Sequence, residues 1–544
     1  MKKRILLASV FKPCAVDNVY TRKEIIPDTF HNQLTHYQGV FSLRERQYSH
    51  GLHILGANLE HPVTVLDWPT LPRFERELRK GYDYVGISFI QPTFPKAKKM
   101  VEVTREISPQ SKIIIGSFGT MIDDIESILD VDYVCRGEGI GFLRKLLGEP
   151  EDYQFRHPLI PTYEFIGTMG IPARAISFLV HHLGLYRYQN ASGVIVTGVG
   201  CSGGCDFCSS GQFFEPRRIP FMKSGQEIFQ LMLRYEEEMG IRNFVLIGDE
   251  NVFSNPGRLE ELHRLYQEQG KAFNIYLSFG SINNLAQYDP RFLAELGIEV
   301  IWIGVESQIN MFRKNAGVDI PGLLAGLRRY GIKIILSSIL CLEGHTQENI
   351  REDVDWHISL QPTLSQFALI SPAQGTVLWR KMKEEGRILH AIPTEERHGF
   401  KQIWFKHPHF NLRESEQIQR EAYEKDFSEL GPSFVRWIKV NYEAYPHLLN
   451  SGSETLKRRA EAIRSRFGHY RSLLRAVEML SPTEKMRVEV RILRKAIEKD
   501  FGRMGLVDGL LAAGFYIFGK GQELKTRYFS DVIQPPTRVT HYNQ

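Results

Sequence analysis

Twice along this chain, short runs rich in Val, Ile and Leu alternate with helical stretches, and that alternation leaves few folds open. The first series occupies residues 1–145, with apolar β-rich runs at 4–11, 63–68, 84–89, 112–117 and 133–136 and helical patterns over 72–80 and 95–107. Continuous apolar strands separated by helices predict a parallel sheet covered on both faces. A Pro- and Tyr-containing connection with one helical stretch (173–185) fills 146–190. The second series, over 191–400, places strands at 194–199, 243–247, 272–277, 300–305, 332–336 and 366–370, with amphipathic helices between them at, for example, 225–238, 257–268 and 320–330. About six such units predict a partial or full (β/α) barrel. From about 405 the strand signals stop, and 401–544 reads as a helical domain. The fold class expected is therefore α/β, a doubly wound domain followed by a (β/α) barrel and a helical C-terminal domain.

In both kinds of sheet, ligands bind at the carboxyl ends of the strands. In the first series those ends hold Ser88 and Gln91, then Gly116, Ser117, Phe118 and Gly119, then Gly137. Tight turns are the other reading of these glycines. In the second series, the first strand runs directly into Gly200-Cys-x3-Cys-Asp-Phe-Cys-Ser209. Three of the chain's six cysteines, Cys201, Cys205 and Cys208, thus share one loop, and Gly203 and Gly204 let its backbone curl tightly. Thiolates at this spacing wrap one face of a cubane iron–sulfur cluster and bring no fourth ligand, so one iron stays open. A structural zinc would need a distant fourth ligand. A closed four-cysteine carrier would have to recruit Cys14, Cys135 or Cys341, and Cys341 sits in a Leu-rich run that reads as core.

This loop resembles the signature of the radical S-adenosylmethionine (SAM) superfamily. The resemblance covers about 195–390 and implies a [4Fe–4S] cluster on Cys201, Cys205 and Cys208 whose open iron chelates SAM; reductive cleavage then yields a 5′-deoxyadenosyl radical that abstracts hydrogen. It also implies that Phe207 lies beside the cluster. Asp249, Glu250 and Asn251 at the second strand end would hold the methionine amine. Glu306, in Ile303-Gly-Val-Glu-Ser307 and followed by Lys314, would sit near the ribose or methionine, with Ser281 and Ser338 as further polar contacts. Helix caps or surface carboxylates are the plainer reading of Asp249, Glu250 and Glu306.

The first domain resembles the cobalamin-binding domain of one class of that superfamily. That implies a corrin over the strand ends, lined by Ser88, Gln91, Gly116 to Gly119 and Gly137. The sequence departs from the pattern: the segment after the first strand lacks Asp-x-His-x-x-Gly, and Gly116-Ser-Phe-Gly-Thr120 replaces a glycine pair followed by His. Cobalamin with no protein ligand to cobalt, or a relic domain that only shapes the substrate site, are both open.

The resemblance implies C-methylation of a lipid or natural product, or else cyclisation, C–C coupling, rearrangement or oxidation. It implies a small-molecule or lipid substrate and an electron donor such as a flavodoxin or ferredoxin. A non-catalytic metal module and a membrane-attached scaffold are the alternatives from other classes.

Composition (42% hydrophobic, 24% charged) is that of a globular protein, and a net charge of +5 is no nucleic-acid signature. No aromatic RNA-binding motif interleaves the basic residues, so nucleic acid is not expected as a partner. Six cysteines in 544 residues do not form a disulfide scaffold, no apolar run approaches a bilayer span, and the N-terminal run lacks a cleavage site. These features lead to an expected cytoplasmic location. Arg464, Arg471 and Arg475, with Arg487, Arg491, Arg494 and Lys495, lie on helices with apolar opposite faces. They are read either as a solvated face of a substrate-capping domain or as a peripheral membrane contact.

Overall fold

The computed structural model describes residues 2–13, 30–44, 48–162, 166–168, 192–248, 251–309, 312–528 and 534–544. Asp249, Glu250, Cys14 and the helical stretch expected at 173–185 lie outside these residues.

The first series folds into five parallel strands: β1 (Ile5–Ser9), β2 (Val63–Asp67), β3 (Tyr84–Ser88), β4 (Lys112–Gly116) and β5 (Tyr133–Val134). Their order is β2-β1-β3-β4-β5, with Ile5 opposite both Val63 and Tyr84. The chain leaves β1 to one side and returns to the other, so a switch point opens at the carboxyl ends of β1 and β3, where such sheets bind ligands. Burial explains the composition: every residue of β1 and β2 is inaccessible from both faces.

The second series forms β6 (Gly193–Val196), β7 (Asn243–Ile247), β8 (Asn274–Gly280), β9 (Val300–Glu306), β10 (Lys333–Leu340) and β11 (Leu364–Leu369). These six parallel strands pair in sequence order. A two-residue antiparallel segment, Ile160–Pro161, lies on the outer edge of β6. The sheet is open between its first and last strands, so the barrel is partial. Helices between strands begin at side-chain caps, as at Ser224 and Glu227 in front of Gly225–Met239, which ends on Gly240 at φ +66°.

Two expectations for the C-terminal region are corrected. Strands do not stop near 405: Arg538–Tyr542 forms β12, which pairs antiparallel with β2 and closes the edge of the first sheet. It was illegible because it is short and half-polar, without an apolar run. Nor does the longest C-terminal helix, Glu454–Leu480, cap the strand ends where ligands bind. Arg459, on Glu454–Leu480, donates to the carbonyls of Ala294, Ile298 and Gly331, which precede β9 and β10. That helix is anchored at the opposite end of the barrel from the cysteine loop. Among the described residues no helix is long and apolar enough to cross a membrane.

Candidate functional site

The cysteine loop leaves β6 through Gly198–Gly200 and returns through Arg218–Pro220, and these two segments pair as a short antiparallel ladder that fixes the loop's base. Gly200 is obligatory there: its φ is +81°, and a Cβ would lie 2.5 Å from the Arg217 carbonyl oxygen. Cys201, Cys205 and Cys208 are free thiols and half-buried. The Gly203 N–H donates to Cys201 Sγ at 3.3 Å, and the Gly211 N–H to Cys208 Sγ at 3.5 Å. Burial raises the Cys205 thiol, and the Lys314 ammonium opposes that shift. Backbone donors and a nearby cation suit thiolates, so this donor set fits a cluster held by three sulfurs. Among the described residues no three His, Cys, Asp or Glu side chains converge on a point as a single metal ion requires. Burial lifts the thiols of Cys135 and Cys341 to about 12, and both side chains pack in hydrophobic core clusters.

The strand ends beside the loop carry the polar groups. Glu306, the last residue of β9, takes a left-handed φ of +61°, is only 6% exposed and pairs with Lys314. Its carboxylate folds back over Gly304, where a Cβ would come within 2.3 Å of Glu306 Oε1. Burial acts to lower the Lys314 ammonium, but Glu306, Cys205 and Cys208 together hold it above its ordinary value. One lysine therefore links the Glu306 carboxylate to the sulfurs. Asn251 Nδ2 donates to Ser281 Oγ at 3.1 Å, which joins the ends of β7 and β8. Phe207 packs edge-on against Phe312, 5.5 Å between centroids. Ser338 is buried in β10, and its hydroxyl bonds His357 Nδ1 at 2.7 Å, on the side of the strand facing the helix Asn349–Ser359.

The strand ends of the first domain face this loop. The Phe118 ring packs against Phe213, 4.9 Å away, on the short helix Ser209–Phe213 that follows Cys208. Gln91 Nε2 donates to the carbonyls of Thr394 and Arg397. Ser88 ends β3 opposite Gly116 of β4. Ser117 adopts φ +72° and ψ −176°, a conformation nearly reserved for glycine. Ser117 thus holds a backbone conformation that glycine adopts more easily. Among the described residues, a Cβ on Gly116 would meet Cys135 at 3.8 Å and one on Gly137 the Phe213 carbonyl at 3.7 Å, both ordinary contact distances, so either site would accept a methyl group without a clash. Gly119 is filled instead by Phe89, 2.3 Å from the position of its Cβ. Past β1 the described chain offers Phe11 and Lys12 and no imidazole. Among the described residues, the strand ends thus offer small side chains and backbone rather than an imidazole.

Two constellations escaped sequence reasoning. Behind Glu306, Asp353 accepts from His345 Nε2 at 2.9 Å and from the Gln308 N–H at 2.7 Å, and the Leu342 N–H donates to His345 Nδ1. This buried pair ties the turns after β9 and β10 together. Across the first domain, His53 bonds Asp67 through Nε2 and Tyr542 through Nδ1, each at 2.7 Å. His345 lies in the turn after β10, and nothing in the sequence near His345 or His53 announced their partners.

No family model matches the chain. It is 25% identical to the hopanoid C-2 methylase of Rhodopseudomonas palustris over 202 residues, 35% of this chain and 38% of that protein. It is 20% identical to the anaerobic magnesium-protoporphyrin IX monomethyl ester cyclase of Cereibacter sphaeroides over 57% of this chain and 54% of that one. The chain thus spans well under two thirds of either relative. Among solved structures, it resembles the radical SAM methyltransferase TsrM of Kitasatospora setae, determined with cobalamin and a [4Fe–4S] cluster bound. That match has a TM-score of 0.51 at 15% identity and covers 79% of this chain and 89% of that one. With a three-cysteine loop on the first strand of a partial barrel and a doubly wound domain facing it, the chain shares the fold of that structure.

Proposed function

We propose that this protein is a cobalamin-dependent radical SAM enzyme that methylates an unactivated carbon of a lipid or polycyclic small molecule. The observation that carries this reading is the apposition of two surfaces: a loop of three free cysteines, and the glycine-rich strand ends of the first domain, in contact through Phe118 and Phe213. When bound, the cluster supplies the electron that cleaves SAM, and cobalamin supplies a transferable methyl group.

The protein's part is to hold and to shield. Cys201, Cys205 and Cys208 ligate as thiolates, assisted by the Gly203 and Gly211 N–H groups. Glu306, held in place by Lys314, and the Asn251–Ser281 pair, with Asp249 and Glu250, receive the polar groups of SAM. Gly116, Ser117 and Gly137, with Ser88 and Gln91, line the corrin face. Phe207 and Phe118 exclude water from the space between, which protects a radical from quenching.

Anaerobic reconstitution with iron, sulfide, SAM and a reductant tests the reading. Wild-type protein is expected to release 5′-deoxyadenosine, and Cys205→Ala is expected to release none. Incubation with hydroxocobalamin should give a protein-bound corrin spectrum that survives gel filtration.

A second reading, cyclisation or oxidation without methyl transfer, draws on the similarity to the cyclase, which extends over more of this chain than that to the methylase. SAM labelled in its methyl group separates the two, because only methylation carries the label into product.

A further inference from the structure

The helix Leu506–Tyr528 carries more of the exposed large apolar side chains than any other element among the described residues. Leu506, Leu510, Ile517, Leu524 and Tyr528 are each more than half exposed, and Leu506 reaches 91%. Positions 507, 510, 514, 517, 521, 524 and 528 advance by alternating steps of three and four, so they form one stripe along the helix, about 30 Å long at 1.5 Å per residue. The opposite face is already used. Phe515, Tyr516 and Phe518 pack into the core, and Asp508 meets Ser472 Oγ at 3.2 Å and Arg471 at 3.5 Å on the neighbouring helix. The stripe is therefore a second apolar face, which the described residues do not cover.

The charges beside it are net positive. Asp508 is turned inward onto Arg471, and Glu523 is paired with Lys520 at 2.7 Å, which leaves Lys525 and Arg527 at the exposed end. Residues 451–528 contain 17 Lys and Arg against 9 Asp and Glu, a net charge of +8, whereas the whole chain carries +5. The positive excess is thus concentrated in the helices around this stripe, and the rest of the chain is net acidic. The helix does not meet the length and apolarity needed to cross a bilayer. A seam against a second copy would place Gly514 and Gly521, which offer no knobs, at two of its seven positions.

We infer that this face docks on an anionic lipid surface, with the stripe at the boundary of headgroups and acyl chains and the cations on lipid phosphates. The inference is independent of the reaction assigned above, and its readout is partition rather than turnover.

The test is co-sedimentation of the full-length protein with phosphatidylcholine vesicles, with and without about 30 mol% phosphatidylglycerol. Wild type is expected to partition onto the anionic vesicles at least about tenfold more strongly than onto the neutral ones, and to release as salt is raised. Leu510→Glu with Ile517→Glu should lower that partition about tenfold or more, and Lys525→Gln with Arg527→Gln about tenfold. All four side chains are exposed, so the thermal transition should not move, which separates lost docking from lost folding. Equal partition of the Leu510→Glu/Ile517→Glu protein and wild type would overturn the inference. So would a dimer in analytical ultracentrifugation that the same variant dissolves while wild type ignores vesicles, since the face would then belong to a second copy.

Discussion

Replacing Gly304 by alanine isolates the Glu306 carboxylate without touching it. Gly304 lies in β9, beside a register shift before Glu306, but without a left-handed φ, so the backbone accepts alanine, and losing a strand glycine should itself stabilise the strand by about 0.5–1 kcal/mol. The new Cβ, however, would stand 2.3 Å from Glu306 Oε1 and 3.1 Å from Lys314 Nζ. Both are ends of flexible side chains, so the strand stays and the carboxylate moves. If Glu306 binds SAM through a charge-assisted hydrogen bond, its displacement forfeits about 1.5–3 kcal/mol, roughly 10- to 160-fold in affinity. Isothermal titration of the anaerobically reconstituted variant with SAM measures this directly. The expected result is weakened SAM binding with full iron and sulfide content and an unchanged or slightly raised melting temperature. Wild-type SAM affinity in Gly304→Ala would refute the role given to Glu306, and loss of iron would show that the carboxylate and Lys314 serve the cluster instead.

Three further outcomes follow from particular groups. Burial, against the opposing pull of Glu299, holds the Lys333 ammonium down to about 7. The native lysine therefore sheds its proton near pH 7 while the unfolded one keeps it to about 10.4, so stability should rise between these values by up to about 1.4 kcal/mol per pH unit; chemical denaturation at pH 7 and pH 9 should show the rise in wild type and its loss in Lys333→Met. Ser117→Gly should raise stability by about 1 kcal/mol, because the glycine-type backbone at that position costs a serine about 1–3 kcal/mol; an unchanged denaturation midpoint would mean the turn is relaxed. Tyr542→Phe leaves the buried His53 Nδ1 without its partner and should cost about 1–3 kcal/mol in the same assay, whereas a neutral outcome would mean that β12 is held by its backbone ladder alone.

Much of the scaffold was legible because strands buried on both faces must be written as uninterrupted apolar runs: β7 begins and ends where the sequence indicates, and β9 is one residue longer. The cysteine loop was legible for a different reason, since its spacing is local and thiolate chemistry is specific. What stayed hidden depends on contacts between distant segments. The helix His50–Ala57 carries two glycines and two histidines and has little helical propensity of its own; it forms where Leu52 and Ile54 are buried and where His53 meets Asp67. Tyr542 reaches His53 across 489 positions. Glu306 was named from a motif, but its left-handed backbone and its fold-back over Gly304 arise from Lys314 and the turn behind it, which no periodicity encodes.

A polar clamp joins the two sheets at one rim, besides the Phe118–Phe213 contact. Asp123 accepts from Trp379 Nε1 at 3.1 Å and from Lys383 at 2.6 Å, and its own N–H donates to Gln374 Oε1 at 2.6 Å. Met121 presses on Gly375, whose φ of +82° and lack of a Cβ admit the sulfur side chain. All of these groups lie between the end of β4 and the segment after β11, and none covers Gly116 or Gly137. A clamp of this kind fixes the distance between two facing surfaces without filling the space between them. An interface selected only for stability would bring large side chains over those glycines, because burying each apolar side chain there would add about 1.5–3 kcal/mol. Keeping glycine on the facing strand ends, next to a strained Ser117, forgoes that stabilisation over the region that faces the cysteine loop. The same geometry explains why the clamp is polar and directional: hydrogen bonds to one carboxylate set an orientation, which a sliding apolar contact would not.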